Sequence, residues 1–124
     1  MTPNDRYYTK DHEWILVEGN RAKIGISDHA QDALGDIVYV ELPDMDATYD
    51  AGESFAVVES VKAVSQIYTA VGGRVVEINE ALNDQPELIN SDCYNQFIAV
   101  FEFENLNTNE LLTAEQYEAF VSEG

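Results

Sequence analysis

Short apolar runs separated by turn-forming residues make up most of the chain, which is typical of a mainly β protein. The runs 14–17 and 22–26 flank Glu18-Gly19-Asn20-Arg21. They are predicted to pair as a hairpin, because Gly and Asn tolerate the positive φ angles of a tight turn. Five later runs also indicate strands: 37–42, 54–59, 64–69, 74–78 and 97–103. So many short strands predict a sandwich or a flattened barrel.

Two segments have helical character. After the second strand, Ser27 or Asp28 can cap a short helix that ends at Gly35, and its packed face is predicted to carry Ala30, Ala33 and Leu34. Near the C-terminus Thr113 and Gln116 have the spacing of a capping box, which is followed by apolar residues at helical spacing, Tyr117, Phe120 and Val121. We therefore expect a C-terminal amphipathic helix packed on the sheets.

The 124 residues contain no linker and no low-complexity tract, so residues 1–124 are expected to form one domain. Their formal net charge of -18 repels nucleic acid phosphates and anionic lipid, and it favours partners with basic surfaces. The same self-repulsion favours a monomer. Acidity that only keeps the protein soluble is an alternative that the composition leaves open.

Two features of the sequence indicate the cellular compartment of the protein. Cys93 is the single cysteine, so no intramolecular disulfide can form, and we interpret it as a buried or idle thiol in a reducing compartment. Residues 1–6 lack the features of a signal or transit peptide, and no apolar stretch is long enough to span a bilayer. We therefore expect a cytoplasmic protein with no membrane segment.

Several kinds of functional site are excluded because their sequence motifs are absent or incomplete. His12, His29 and Cys93 lack the spacing of a zinc site. The stretch 44–55 begins like a calcium loop, but Tyr49 and Phe55 stand where that loop needs Gly and Glu. No nucleophile motif or phosphate loop is present in the sequence. We expect neither a hydrolase nor a nucleotide-binding protein, and no metal site.

Lys62 is the last lysine of the chain, and it interrupts the apolar, β-prone stretch 54–65. A charged side chain is tolerated there when it projects into water at a bend, and the small residues Ser60 and Ala63 let another enzyme close around that bend. The pattern indicates a lysine presented for covalent modification. A solubilising surface lysine paired with Glu59 is the alternative.

The segment Glu59-Ser60-Val61-Lys62-Ala63 resembles the lipoyl-lysine motif of glycine cleavage system H proteins. Four further blocks also resemble that family and occur in the same order as in the family: 7–8 with 12–14, 24–31, 34–43 and 86–90. A biotin domain usually has methionines beside its lysine, and lipoyl domains of 2-oxo acid dehydrogenases generally have Asp before it. Val61 and Ala63 stand at these positions, so the H-protein resemblance is the stronger one.

The resemblance implies a fold and a cofactor. The fold is the barrel-sandwich hybrid of lipoyl domains, which is mainly β, with two small antiparallel sheets, short helices and a C-terminal helix. Its lipoyl-binding core would span roughly residues 22–104, with Lys62 at a hairpin tip. Lipoate would be joined by an amide to Lys62, within the lipoylation motif Glu59, Ser60, Val61 and Ala63.

The resemblance also implies partners. The chain would be a non-catalytic carrier in glycine catabolism and one-carbon metabolism. It would take the aminomethyl group of glycine from the pyridoxal-phosphate-dependent glycine decarboxylase (P protein) to the folate-dependent aminomethyltransferase (T protein). Dihydrolipoamide dehydrogenase (L protein) would reoxidise the arm, and lipoate-attaching enzymes would install it.

Glu13 is a further candidate, since the matching family position suggests that its carboxylate holds the amine of the loaded arm by a charge-assisted hydrogen bond. A solvated strand-end carboxylate is the alternative. Two other functions stay open, namely a lipoyl donor in a relay to other enzymes and an unlipoylated acidic adaptor. The sequence departs from the family pattern at Gln66, Ala70, Phe97, Val100 and Glu102, and this divergence bears on docking with the decarboxylase or the aminomethyltransferase.

Overall fold

The computed structural model describes residues 2–106, 108–109 and 111–123. Its strands are β1 Tyr7–Tyr8, β2 Glu13–Glu18, β3 Arg21–Ile26, β4 Ile37–Glu41, β5 Thr48–Tyr49, β6 Ser54–Ser60, β7 Val64–Tyr68, β8 Gly73–Ile78 and β9 Ala99–Glu102. Its helices are α1 Asp28–Leu34, α2 Ala81–Asp84, α3 Leu88–Asp92 and α4 Ala114–Glu123. Each predicted strand and both predicted helices are present.

The strands form two antiparallel sheets. The larger sheet has the order β1-β2-β3-β9-β8-β5, and the smaller has the order β4-β6-β7. In the predicted β2–β3 hairpin Glu18 pairs with Arg21, so the turn is Gly19-Asn20, and Gly19 has a φ of 64°. The predicted fold class, mainly β with two antiparallel sheets, short helices and a C-terminal helix, is confirmed.

The two sheets face each other across one apolar core. The Phe55 ring of β6 lies 5.1 Å from the Phe101 ring of β9 at 85°, which is the edge-to-face arrangement that aromatic quadrupoles favour. Tyr49 of β5 contacts the same Phe101 ring, with the centroids 6.0 Å apart. Buried aliphatic side chains from both sheets fill the rest, among them Ile15, Ile24, Val58 and Val75.

Two β-bulges explain where strict alternation of inward and outward residues fails. The register of β4 against β6 shifts between Ile37 and Tyr39, so Val38 and Tyr39 are both exposed. The register of β6 against β7 shifts between Ser54 and Ala56, so Phe55 and Ala56 are both buried. These bulges decide which apolar side chains of the smaller sheet reach the surface.

Helix α1 begins and ends as its sequence predicts. The Ser27 hydroxyl caps it by accepting from the Ala30 amide at 3.2 Å. Gly35 ends it with a φ of 81°, and its amide donates to the Gln31 carbonyl at 2.9 Å. Ala30 and Leu34 pack against the core. The placement of Ala33 on that face is wrong, because its side chain is exposed.

Helix α4 starts at the predicted capping box, in which the Gln116 amide donates to Thr113 Oγ1 at 3.2 Å and the Thr113 amide donates to Gln116 Oε1 at 2.9 Å. Tyr117 attaches the helix to the larger sheet. Its ring stacks on Tyr8 with centroids 4.8 Å apart, and its hydroxyl lies 2.7 Å from the Ser27 hydroxyl. The C-terminal helix is therefore joined to both β1 and the start of α1.

Four elements were not predicted: β1, β5, α2 and α3. β1 and β5 have two residues each, and they are strands only because β2 and β8 pair with them. The helices α2 and α3 have four and five residues, too few to show a helical period. The apolar run 97–103 is a strand only over Ala99–Glu102. Within the described ranges, no helix has the length and apolar character needed to cross a membrane.

Candidate functional site

Lys62 lies at the exposed tip of the hairpin that β6 and β7 form. The turn is closed by a hydrogen bond from the Ser60 amide to the Ala63 carbonyl at 2.8 Å. The side chains of Val61, Lys62 and Ala63 are all exposed. The predicted bend, with a lysine projecting into water from an otherwise apolar hairpin, is confirmed.

The Ser60 side chain orders the backbone of this turn. Its Oγ accepts from the Ala63 amide at 3.0 Å and from the Lys62 amide at 3.3 Å. It also lies 3.3 Å from the Ala63 carbonyl, to which it donates. A hydroxyl that bonds backbone groups two and three residues further on stabilises a turn locally. Ser60 therefore fixes the backbone that carries Lys62.

The loop between α1 and β4 holds the hairpin tip from the side. The Val61 amide donates to the Asp36 carbonyl at 3.1 Å. Beside it, the Lys62 stem runs along Gly35, where an added Cβ would lie 3.4 Å from Lys62 Cε. The far end of the lysine side chain therefore lies beside Gly35, while the neighbouring carbonyl anchors the turn.

Asn90 of α3 braces that loop in turn. Its Nδ2 donates to the Gly35 carbonyl and to Gln31 Oε1, both at 2.9 Å, and its Oδ1 accepts from the Ile37 amide at 2.9 Å. Asn90 cannot be recognised as a site residue from the sequence alone, because its partners lie far away along the chain. The sequence signal for Asn90 was its place in the block 86–90, which resembles the family. That resemblance does not reveal which groups Asn90 contacts.

Lys62 does not form an ion pair with Glu59, so the interpretation of a paired surface lysine is wrong. The ion pairs between described residues involve Arg6, Lys23 and Arg74 instead. Glu59 lies in register with Val64 on β7, and its side chain is half-buried. Among the residues that the structure describes, no carboxylate forms an ion pair with the Lys62 ammonium.

Glu13 is buried, with 2% of its surface exposed, so a solvated strand-end carboxylate is excluded. Its Oε1 accepts from the Thr9 hydroxyl at 3.0 Å, and its Oε2 accepts from the Tyr68 amide at 2.8 Å. Tyr68 ends β7, the strand that returns from Lys62. Glu13 thus connects the start of β2 to the base of the lysine hairpin.

Burial raises the pKa of the Glu13 carboxyl from 4.5 to about 7, because removal from water disfavours the charged form. The hydrogen bonds from the Tyr68 amide and the Thr9 hydroxyl oppose this shift by stabilising the carboxylate. Near neutral pH, the protonated carboxylic acid and the carboxylate are therefore both populated. A cation brought beside it would favour the carboxylate.

The two histidines contact each other, and Cys93 is a buried thiol. His12 Nδ1 shares a hydrogen bond with the Tyr117 hydroxyl at 2.8 Å, and the His12 and His29 rings lie 4.5 Å apart. Cys93 is buried, as predicted, and burial raises the pKa of its thiol to about 11, which keeps it protonated. In the part of the chain that the structure describes, no three His, Cys, Asp or Glu side chains form a metal-binding group.

Comparisons with known proteins agree with this geometry. A family model described as Glycine cleavage H-protein matches residues 6–124. The glycine cleavage system H protein of Geobacillus kaustophilus (strain HTA426) is 52% identical over 125 residues, which cover 99% of this chain and 98% of the relative. That of Stenotrophomonas maltophilia (strain K279a) is 53% identical over 118 residues, which cover 93% and 90%.

The solved structures give the same result. The crystal structure of a glycine cleavage system H protein from Mycobacterium marinum superposes with a TM-score of 0.90 at 38% sequence identity, covering 97% of this chain and 98% of that one. This similarity extends over both sheets and the helices. The chain belongs to the glycine cleavage system H protein family.

Proposed function

We propose that this chain is the lipoyl carrier of glycine cleavage, with lipoate joined by an amide to Nζ of Lys62. The observation that carries the proposal is an exposed lysine at the tip of a hairpin whose turn is fixed by Ser60 and Asp36. The flanking motif residues Glu59, Val61 and Ala63 complete the attachment site. When bound, lipoate supplies a disulfide that can accept and release the aminomethyl group of glycine.

The hairpin geometry suits a carrier. A fixed base with a long flexible side chain replaces diffusion of a free cofactor by rotation of a tethered one, which raises its effective concentration at a docked enzyme. The Lys62 side chain is exposed, so a group joined to its Nζ would extend into solvent. The chain contributes presentation of the arm, and the chemistry would take place in its partners.

The proposed partners are the pyridoxal-phosphate-dependent glycine decarboxylase, the folate-dependent aminomethyltransferase and dihydrolipoamide dehydrogenase, together with the enzymes that attach lipoate. The family membership supports a place in this system. The net charge of -18 supports a monomer that associates with basic surfaces. The single, buried thiol of Cys93 supports a reducing compartment, the cytoplasm.

We further propose that Glu13 binds the amine of the loaded arm. A carboxylate has about four acceptor positions. Thr9 and Tyr68 each occupy one of them, so capacity for an ammonium donor remains. The position of Glu13 beside the end of β7 and its pKa of about 7 support this role, because an arriving ammonium would stabilise the carboxylate.

The first experiment is intact and peptide mass spectrometry after incubation with lipoate ligase, lipoate and ATP. We expect one lipoyl group, on the peptide that contains Lys62. Lys62→Ala should remain unmodified, while Lys23→Ala, which removes a lysine from the other sheet, should be modified like the wild type. Absence of lipoate from Lys62, with a ligase active on a known carrier, would refute the proposal and favour an unlipoylated adaptor.

A second measurement separates glycine cleavage from a lipoyl relay. Lipoylated protein is added to purified glycine decarboxylase, and glycine-dependent exchange of bicarbonate is followed. We expect exchange that depends on the carrier. No exchange, combined with lipoyl transfer to a dehydrogenase domain, would assign the chain to the relay instead.

A further inference from the structure

Exposed apolar side chains concentrate on the sheet whose hairpin carries Lys62. Among the described residues, the exposed large apolar side chains are Val38, Tyr39, Met45, Val61, Val64 and Tyr68. All except Met45 belong to the three-stranded sheet or to the tip of its lysine hairpin. Val61 and Val64 are 70% and 67% exposed, and Tyr39 is 49% exposed. Such clustering marks an interaction surface more often than scattered apolar residues do.

The strand register places two of these side chains, Tyr39 and Val64, on the same face of the three-stranded sheet. Glu59 pairs with Tyr39 on one side and with Val64 on the other, so the three form a row across the sheet. Val57 likewise pairs with Glu41 and Gln66 to form a second row. The intervening residues Val40 and Val58 point into the core. We call the six residues of these two rows the outer face.

The charge of the outer face is one-sided. Glu41 and Glu59 lie on it, and Lys62 is the one lysine or arginine that the described three-stranded sheet and its hairpin carry. The other cationic residues lie on the N-terminal segment or on the six-stranded sheet: Arg6, Lys10, Arg21, Lys23 and Arg74. The lysine therefore stands next to a surface that is apolar and acidic.

We propose that the outer face is the docking surface for an enzyme that takes up the Lys62 arm, and that the enzyme's matching surface is apolar at its centre with Lys and Arg at its edge. This inference rests on the proposed carrier function. The arm extends a fixed length from Lys62. The protein surface around that lysine must therefore contact any enzyme whose active site the arm enters. Apolar contact supplies affinity, and the opposite charges steer the approach.

A second copy of this chain is a poor alternative occupant. Two outer faces would bring Glu41 and Glu59 of each copy together, and each copy carries a net charge of -18. Like charges set opposite each other across an interface disfavour association. Charge complementarity therefore selects a basic partner.

Steady-state kinetics with purified glycine decarboxylase tests the inference, with the fully lipoylated carrier as the varied component in the bicarbonate exchange. For Tyr39→Ser combined with Val64→Ser, we expect the KM for the carrier to rise about tenfold with little change in kcat, because truncated contacts at an interface centre weaken binding. Met45→Ser removes an exposed apolar side chain outside the sheet, and it should leave the KM unchanged. Val64→Thr, which keeps the β-branched shape, is the milder second variant and should give a smaller increase.

The charge is tested separately. Glu41→Gln on the outer face should raise the KM about threefold at low salt, and the difference should shrink at high salt as the charges are screened. Glu77→Gln, an exposed strand carboxylate of the other sheet, is the matched control and should behave as the wild type. Mass spectrometry and thermal unfolding of each variant confirm that Lys62 is lipoylated and the fold is intact.

The outcomes are distinct. A wild-type KM for the double variant and for Glu41→Gln, with complete lipoylation, would overturn the docking surface and leave the carrier function standing. A KM raised equally by Met45→Ser and Glu77→Gln would also overturn it, since the effect would not belong to this face. A lipoylated wild type that supports no exchange would refute the proposed function itself, and the inference with it.

Discussion

The Val61 amide donates a hydrogen bond to the Asp36 carbonyl at 3.1 Å, which attaches the tip of the lysine hairpin to the loop that follows helix α1. That loop is held in turn by Asn90, which bonds the backbone of both Gly35 and Ile37. The lysine thus stands on a turn fixed from within by Ser60 and from outside by α3. A stable base with a mobile side chain is the arrangement that tethered transfer requires.

Removal of the Asn90 side chain is predicted to loosen the hairpin tip. Asn90→Ala leaves the Ile37 amide and the Gly35 carbonyl without this partner, at a cost of about 1–3 kcal/mol for unsatisfied, partly buried groups. Hydrogen exchange followed by NMR should show the Val61 amide exchanging faster than in the wild type. The exposed Asn95, whose Nδ2 bonds Asp92, provides the control Asn95→Ala. Equal acceleration in both variants would show that Asn90 does not brace the tip.

Loss of the Ser60 hydroxyl is predicted to slow lipoylation more than it destabilises the fold. Ser60→Ala removes the side-chain bonds to the Lys62 and Ala63 amides, which lie in an exposed turn. Exposed bonds of this kind contribute at the lower end of about 0.5–1.5 kcal/mol each, so loss of the two should lower kcat/KM of a lipoate ligase by about fivefold. Ser91→Ala, another exposed serine that bonds a backbone carbonyl, should have the wild-type rate. An unchanged rate for Ser60→Ala would exclude a role for the turn in recognition.

The buried Glu13 is predicted to make stability fall as the pH rises toward neutrality. Its folded-state pKa is raised from 4.5 to about 7, so between these values the folded protein holds a proton that the unfolded chain releases. Its contribution is therefore fully present below pH 4.5 and is lost as the pH rises to about 7. The Glu13→Gln side chain is neutral at every pH, so this variant should not lose stability over the same range. From pH 4.5 to pH 7, the unfolding free energy of the variant should therefore rise relative to that of the wild type by up to about 3 kcal/mol.

Denaturant unfolding at several pH values measures this difference. Glu18→Gln, an exposed carboxylate on the same strand, is the control and should run parallel to the wild type. Curves for Glu13→Gln that also run parallel would show that the carboxyl is already ionised throughout. The same variant, once lipoylated and loaded, should lose the aminomethyl group faster if Glu13 binds its amine, and an unchanged lifetime would refute that role.

The Tyr117 hydroxyl is predicted to hold the C-terminal helix in place. Tyr117→Phe retains the ring that stacks on Tyr8 but removes the hydrogen bonds to His12 Nδ1 and to the buried Ser27 hydroxyl. The unfolding free energy in urea should fall by about 1–3 kcal/mol, because buried polar partners are left unsatisfied. Tyr39→Phe changes an exposed tyrosine and should leave stability unaltered. Stability equal to the wild type in Tyr117→Phe would show that water replaces the lost bonds.

The sequence by itself determined the features that local physics controls. A charged residue between two β-prone runs predicted the Lys62 bend, and Ser60 and Ala63 predicted a tight one. The capping residue Ser27 and the terminator Gly35 predicted where α1 begins and ends, and the capping box did the same for α4. These signals act over a few residues, so they can be recognised without knowledge of the fold.

Tertiary structure alone decided the features that depend on distant partners. The two-residue strands β1 and β5 exist only through pairing with β2 and β8, and Asn90 matters only because folding brings α3 beside Gly35. The sequence left Glu13 open between a contact of the loaded arm and a solvated strand-end carboxylate. It is buried because Thr9 and the Tyr68 amide supply donors, and no local pattern reveals a partner on another strand. Burial and long-range hydrogen bonds are properties of the assembled sheets, so only the folded chain shows them.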